Sequence, residues 1–383
     1  MKKHHLPDPV VIADQASLEY MLENIAQEAT LAVDTEANSL HAYQEQVCLI
    51  QISTLEIDYL IDPLAIEDLS PLGAIFIDPE IEKIFHASEY DVIMLAKGLG
   101  FQFANIFDTM LAARILGREK MGLDILLEEM FGVQVNKRYQ KANWGQRPLP
   151  IGMLRYAQID THYLIDLRNI LATELTQTGR WPLAQEDFIR ACQVHKRRPN
   201  KQKPHPCWRG NGPQNLPPQK AAVYLKLCEY REEIARKKNK PLFKVLSRQF
   251  LLTLAEACPQ NQQEMLNIEG LPQWVIQRYG LGLLNAIHAG LEAEPFTYSY
   301  PKRPSQAYLA RVRELKEWRK MAAQKMGVNS AVILPLPLLD AVAKENPHTQ
   351  EELAQVLVEV PWRFEHFGEE ILETLRKTWE TRR

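Results

Sequence analysis

Two carboxylates stand two residues apart in "LAVDTEANS", Asp34 and Glu36, at the end of an apolar run that reads as a strand. Residues i and i+2 of a strand share a face, so both side chains converge on one spot beside a hydrophobic sheet. Like charges held there repel, and a proton or a cation must sit between them. Carboxylate oxygens are hard ligands suited to Mg²⁺ or Mn²⁺. A D-x-E pair alone is more often an exposed edge or turn. Later residues widen the set: Asp91, just past the strand-like "EKIFHAS", and Tyr156 with Asp160 in "RYAQIDTHYL". The latter two are four apart and stack on one helical face, whereas Asp166 points elsewhere. Taken singly, each has a plain structural role. Asp91 suits a helix N-terminus, Tyr156 a core, and Asp160 a solvated surface.

The elements that must position these residues alternate early in the chain. "ATLAVDT", "VCLIQIS" and "DYLIDP" read as three successive strands, the first two bridged by "EANSLHAYQEQ". "EKIFHAS" is a fourth strand and leads into "EYDVIMLAKGLG", whose apolar spacing and glycines predict a helix with a C-cap. Helical periodicity continues through "DTMLAARILG", "GLDILLEEMFG" and one long stretch, "LPIGMLRYAQIDTHYLIDLRNILATEL". Strands first and helices afterward predict an α/β domain with a mixed sheet up to about Arg190.

Next comes "QVHKRRPNKQKPHPCWRGNGPQNLPP", rich in Pro, Gly and positive charge without sustained periodicity, which marks the main boundary. Beyond it the chain is helical and repeats at a gapless offset of 88 residues. Leu227 falls on Leu315, Tyr230 on Trp318, Arg231 on Arg319, Leu251 on Leu339, Pro259 on Pro347, Trp274 on Trp362 and Gly280 on Gly368. One register held so long means two copies of one small helical domain, joined by "AEPFTYSYPKRP". The matched Tyr230 and Trp318 favour helix packing over base stacking.

Charge is distributed unevenly. Residues 1–170 hold 25 acidic and 13 basic side chains, while residues 195–248 hold 15 basic and 3 acidic. An acidic body tied to a basic segment suits a polyanionic partner, although a solvated linker has the same composition. The 5 cysteines are odd in number and scattered, so neither a disulfide framework nor a zinc site is expected. A reducing cytoplasm, with no export signal and no membrane span, is the expected setting.

The order "DTE", "HASEYD", then Y-x-x-x-D on a later helix, followed by a duplicated helical segment, resembles the ribonuclease D family of DEDD exonucleases. The resemblance spans nearly the whole chain and is most specific in "VDTEANSL", "LIQIS", "FDTMLAARIL", "KANWGQRPL" and "RYAQIDTHYL". It implies a ribonuclease-H-like mixed-sheet exonuclease domain over residues 1–192 and a basic linker over 193–217. Two all-α HRDC-like modules would follow, at 218–292 and 305–383. It also implies that Asp34, Glu36, Asp91 and Asp160 hold two divalent cations, Mg²⁺ or Mn²⁺, and that Tyr156 positions the attacking water. The reaction implied is release of nucleoside 5′-monophosphates from a single-stranded RNA 3′ end, tRNA precursors among the substrates.

Around that centre, Leu40 would meet the terminal base, and Lys137, Arg138, Trp144 and Arg147 would hold the strand, with Trp144 equally suited to the core. Arg236, Lys237, Lys238, Lys240 and Lys244 would form a positive stripe on the first helical module. The second copy, with "KMGVNSAVILP", lacks that run. Asp108 reads as a capping or supporting residue, His86 as a packed strand-end histidine, and His162 as facing away from Asp160. No obligate protein partner is expected. Two other functions share much of this pattern: a DNA-directed 3′–5′ exonuclease, and a silent nucleic-acid-binding adaptor. The presence of all four acids and the tyrosine argues against the adaptor.

Overall fold

The computed structural model describes residues 6–193, 207, 213–297 and 303–380. Most of the basic linker 193–217, and residues 298–302 of the second connector, lie outside these. The chain divides into two compact units, one of residues 1–37, 47–197 and 303–383, the other of residues 38–46 and 198–302.

In the first unit a six-stranded sheet is built from β1 (Val10–Ile12), β2 (Thr30–Ala37), β3 (Val47–Ser53), β4 (Asp58–Ile61), β5 (Glu82–Phe85) and β6 (Ile106–Asp108). Its order is β1-β4-β3-β2-β5-β6. β3 runs antiparallel to β2 and β4, and the remaining pairs are parallel. This is the expected mixed α/β sheet, with Asp34 and Glu36 on the central strand. The β2–β3 register shifts between Glu36 and Ala37, a bulge that re-aims the strand end.

The helices of this domain are α1 (Gln15–Ile25), α2 (Leu72–Ile77), α3 (Glu89–Leu99), α4 (Thr109–Ile115), α5 (Leu123–Phe131), α6 (Ile151–His162), α7 (Leu164–Gln177) and α8 (Trp181–Cys192). α3 carries Glu89 and Asp91 in its first turn and stops at Gly100, where φ of 75° favours glycine. Pattern reading names no element before Ala29, so it misses α1 as well as β1, and it runs β6 into α4; the strands β1 and β6, three residues each, are too short to show a period. The long stretch read as one helix breaks at Tyr163 without Pro or Gly. There His162 hydrogen-bonds Asp58 across the sheet, and the Tyr163 ring stacks on Phe131 at 5.6 Å.

The second unit contains α9 (Pro218–Lys237), α10 (Leu242–Val245), α11 (Arg248–Ala257), α12 (Gln262–Leu266) and α13 (Gln273–Glu292). Back in the first unit, α14 (Gln306–Met326), α15 (Ser330–Ile333), α16 (Leu336–Glu345), α17 (Gln350–Val356) and α18 (Pro361–Glu380) begin 88 residues after their counterparts, from 218 and 306 through 273 and 361. The left-handed caps Cys258 and Asn346 match as well. So do two guanidinium groups: Arg231 donates to the carbonyl of Leu246, and Arg319 to that of Leu334. The duplication is therefore one of structure.

Cysteine usage departs from expectation, since Cys207 and Cys228 are joined in a disulfide, while Cys48, Cys192 and Cys258 are not disulfide-bonded. Pairing depends on where the fold brings a linker residue against a helix, which spacing does not encode. Among the described residues no helix is long and apolar enough to cross a membrane.

Candidate active site

Four of the five expected catalytic residues, Asp34, Glu36, Tyr156 and Asp160, line one cavity of about 390 Å³. Thr35, His86, Asp124, Lys137 and Gln140 also line it. β2 presents the first pair and α6 the second. Asp91, on α3, is buried directly behind, where it accepts a hydrogen bond from the Thr35 hydroxyl.

The electrostatics follow from burial and mutual repulsion. Burial, then the charges of Asp91, Asp160 and Glu36, hold the Asp34 carboxyl well above the usual carboxylate range. Glu36 is pushed up to about 9 by burial and by Asp160 and Asp91. Burial raises Asp160 to about 8, against a hydrogen bond from Tyr156 that pulls it down. Asp91 is raised by burial to about 7, with the Thr35 bond opposing. Burial and the charges of Asp160, Glu36 and Asp34 raise the Tyr156 phenol, so it remains a donor at neutral pH. Among the described lining residues the one Lys or Arg, Lys137, is paired to Asp124 at 2.8 Å. The negative charge therefore lacks a protein counter-cation. No three His, Cys, Asp or Glu side chains among the described residues are close enough together to hold an ion as they stand. Three of the acids line one cavity, and all four share a field, without a preformed coordination shell.

Supporting residues are extensive. Asp108 accepts from the backbone N–H of Ala87 and Ser88 and from the Ser88 hydroxyl, at 2.8–3.1 Å. It also caps α4 through Met110 and Leu111, at 2.9 and 3.1 Å. One carboxylate thereby fixes the turn that launches α3, where Ala87 has a left-handed φ of 64°. His86 bonds Thr109 through Nδ1, and burial lowers its pKa. Gln51, in the "LIQIS" strand, lies directly across from Asp34. It is fully buried, and neither side-chain polar atom has a protein partner. Sequence reading missed Gln51 and Asp124, because neither residue type carries a signal apart from its position opposite or beside the acids.

The expected substrate-contacting residues divide. Lys137 lines the cavity, and Arg138 lies 4.7 Å over the Tyr139 ring. Trp144 and Arg147 are corrections. Trp144 is 1% exposed and packs against Tyr156 at 6.1 Å, so it fills the core and cannot reach a strand. The Arg147 guanidinium is consumed by Asp62 and by the carbonyls of Cys48, Trp144 and Gln146, which ties the "KANWGQRPL" loop to the sheet. In the second unit Leu40 is 39% exposed, and Arg236, Lys237, Lys238, Lys240 and Lys244 are all exposed. Lys237 is offset by Glu233 at 2.6 Å, Arg236 faces Tyr43, and Lys238 faces Tyr279.

A 3′–5′ exonuclease family model matches residues 9–176, and an HRDC domain model matches residues 220–287 and 309–375. These define the class: an exonuclease domain joined to two HRDC domains. Ribonuclease D of Pseudomonas paraeruginosa is 28% identical over 96% of this chain and 98% of its own length. Protein RRP6-like 3 of Arabidopsis thaliana is 41% identical over 46% of this chain, which spans a fifth of that relative's length. The crystal structure of Escherichia coli RNase D superposes with a TM-score of 0.70 at 24% identity, covering 97% of this chain and 99% of that one, and shares its fold. The chain thus carries a 3′–5′ exonuclease domain followed by two HRDC domains, and is similar to ribonuclease D along nearly its whole length.

The raised carboxyls bear on stability with a definite sign. Their folded pKa values of about 7 to 9 exceed ordinary values of 3.8 and 4.5, so the folded chain holds protons that the unfolded chain releases. That contribution is complete below about pH 4 and is lost as pH rises through about 9. In chelator, the melting temperature is expected to fall between pH 6 and 9. Added Mn²⁺ should restore it more at pH 9 than at pH 6. A flat profile by circular dichroism would contradict the assignment.

Proposed function

We propose that this chain is an exoribonuclease that releases nucleoside 5′-monophosphates, one at a time, from the 3′ ends of structured RNA, tRNA precursors among them. Asp34, Glu36, Asp91 and Asp160 would hold two divalent cations, Mg²⁺ or Mn²⁺. The observation carrying this reading is the convergence of four acids, Asp91 and Asp160 buried and Asp34 and Glu36 half-buried, each raised by burial, where the one Lys or Arg among the described lining residues, Lys137, is already paired to Asp124. A set of hard oxygens in that condition fits divalent cations. The unsatisfied carboxamide of Gln51 across from Asp34 fits an ordered water of a hydrated ion.

When bound, the cations supply Lewis acidity, which acidifies an attacking water and offsets charge on the leaving 3′ oxygen. The chain's own residues do the rest. Thr35 fixes the Asp91 carboxylate, and Asp108 fixes the turn that carries α3. Tyr156 is too weak an acid to serve as a base at neutral pH, so it orients the water by hydrogen bonding. Lys137, released from Asp124, meets a substrate phosphate. The exposed cations of the first HRDC module hold the RNA backbone with little sequence preference and with affinity that falls with salt. The division into residues 1–192, 218–292 and 305–383 belongs to the same proposal.

The test is digestion of a 5′-labelled single-stranded RNA and a matched DNA with Mn²⁺. The expected result is a ladder shortening from the 3′ end of the RNA, with slower loss of DNA. Internal cuts, or equal loss of both strands, would overturn this reading.

A further inference from the structure

α6 carries two stripes. Tyr156 and Asp160, four apart, face the cavity, while Gln158, Thr161 and His162, spaced three and four, face the β3–β4 turn. On that second face lies Asp58, the first residue of β4, which is 4% exposed. Its carboxylate accepts from Gln158 Nε2 at 2.6 Å and from His162 Nδ1 at 2.9 Å. A carboxylate only accepts, so Nδ1 must carry the proton. Beside it, the Ser53 and Thr161 hydroxyls lie 2.7 Å apart. Ser53 pairs with Asp58 across β3 and β4 and with Ala32 across β2 and β3. The cluster therefore sits two register pairs along the sheet from Asp34 and Gln51, on the same face.

We infer that Asp58 is a positioning residue for the exonuclease reaction, clamping α6 to the sheet through Gln158 and His162 so that Asp160 and Tyr156 stand at fixed depth opposite Asp34 and Glu36. The physical case rests on leverage. Gln158, Thr161 and His162 surround Asp160 in sequence, and the backbone of a helix turn moves as one body. A shift of the turn about 1 Å from productive geometry costs about 100-fold in rate. Hydrophobic contact alone, through Leu49, Leu60, Met153 and Ala157, leaves sliding along the sheet less constrained than charge-assisted bonds do. The break after His162 fits the same role, since α6 ends where the clamp holds it.

This inference rests on the reading of Asp160 and Tyr156 as active-site residues, and its test separates the two. In the full-length chain, Asp58→Ala is expected to lower kcat about 10- to 100-fold, with KM for RNA changed less than about 3-fold and Mn²⁺ affinity reduced about 10-fold. His162→Ala removes one arm of the clamp from a partly exposed position and keeps the test open if Asp58→Ala folds poorly. It is expected to lower kcat by about 3- to 10-fold, and the double variant should lose no more than Asp58→Ala alone. Rates are taken per folded molecule, with folding followed by circular dichroism. Full kcat in both variants, beside an inactive Asp160→Asn, would overturn the clamp and leave the active-site reading intact. An active Asp160→Asn would overturn that reading instead.

Discussion

Replacing Asp34 by Asn is expected to lower kcat by at least about 10³-fold while leaving RNA binding, measured by gel shift, within about 2-fold of wild type. The substitution preserves shape and removes one charge from the centre of the acid set. Asp34 feels the charges of Asp91, Asp160 and Glu36 together, so it stands within the field of all the other three. Converting it to a neutral amide weakens the field that would hold cations, without touching the exposed lysines and arginine of the first HRDC module that would grip the RNA backbone. Loss of RNA binding in parallel with activity would mean that Asp34 supports structure. Retained activity would remove it from the chemistry.

The largest expected effect on stability lies far from that cavity. Arg363, with no exposure, donates to Glu186 at 2.7 Å, to Asp187 at 2.8 Å and to the carbonyls of Val332 and Ile333. Burial holds the Glu186 carboxyl above its ordinary pKa even with Arg363 pulling it down, so the pair is costly to desolvate. Arg363→Ala leaves Glu186 buried without its partner. The expected loss is about 3–5 kcal/mol, read as a clearly lower unfolding midpoint in urea. Replacing Arg363 with Met and Glu186 with Leu together should recover much of it, because no charge is then stranded. An unchanged midpoint in Arg363→Ala would show that water reaches the pair. The equivalent position of the first module is Val275, packed in that module's own core. The two copies thus keep one helical frame and use this position differently. In the second copy, α18 is tied by an ion network to α8 of the nuclease domain.

The legible parts of this protein were those written in local spacing. The D-x-E of β2, the Y-x-x-x-D of α6 and the gapless 88-residue duplication are visible because strand and helix periods fix which side chains share a face. Asp91 is recognisable through the order of motifs, since its approach to Thr35 is a tertiary contact. β1 and β6 are three residues each and take their strand character from neighbours rather than from pattern. Trp144 and Arg147 have the residue types of a nucleic-acid contact, yet the loop folds them inward, where the indole packs on Tyr156 and the guanidinium bridges Asp62 and three carbonyls. Gln51, Asp58 and Asp124 are ordinary polar residues in sequence. Only register across β2, β3 and β4, or their position around the cavity, gives them a role.

The most direct measurement is a calorimetric titration of the metal-free, full-length protein with Mn²⁺ at pH 8, repeated in buffers of different ionisation enthalpy to count released protons. Two ions bound per chain with net proton release, both reduced in Asp34→Asn, is the result expected of four raised carboxyls gathered around one cavity. Absence of binding, or binding unaltered by the substitution and without proton release, would contradict it.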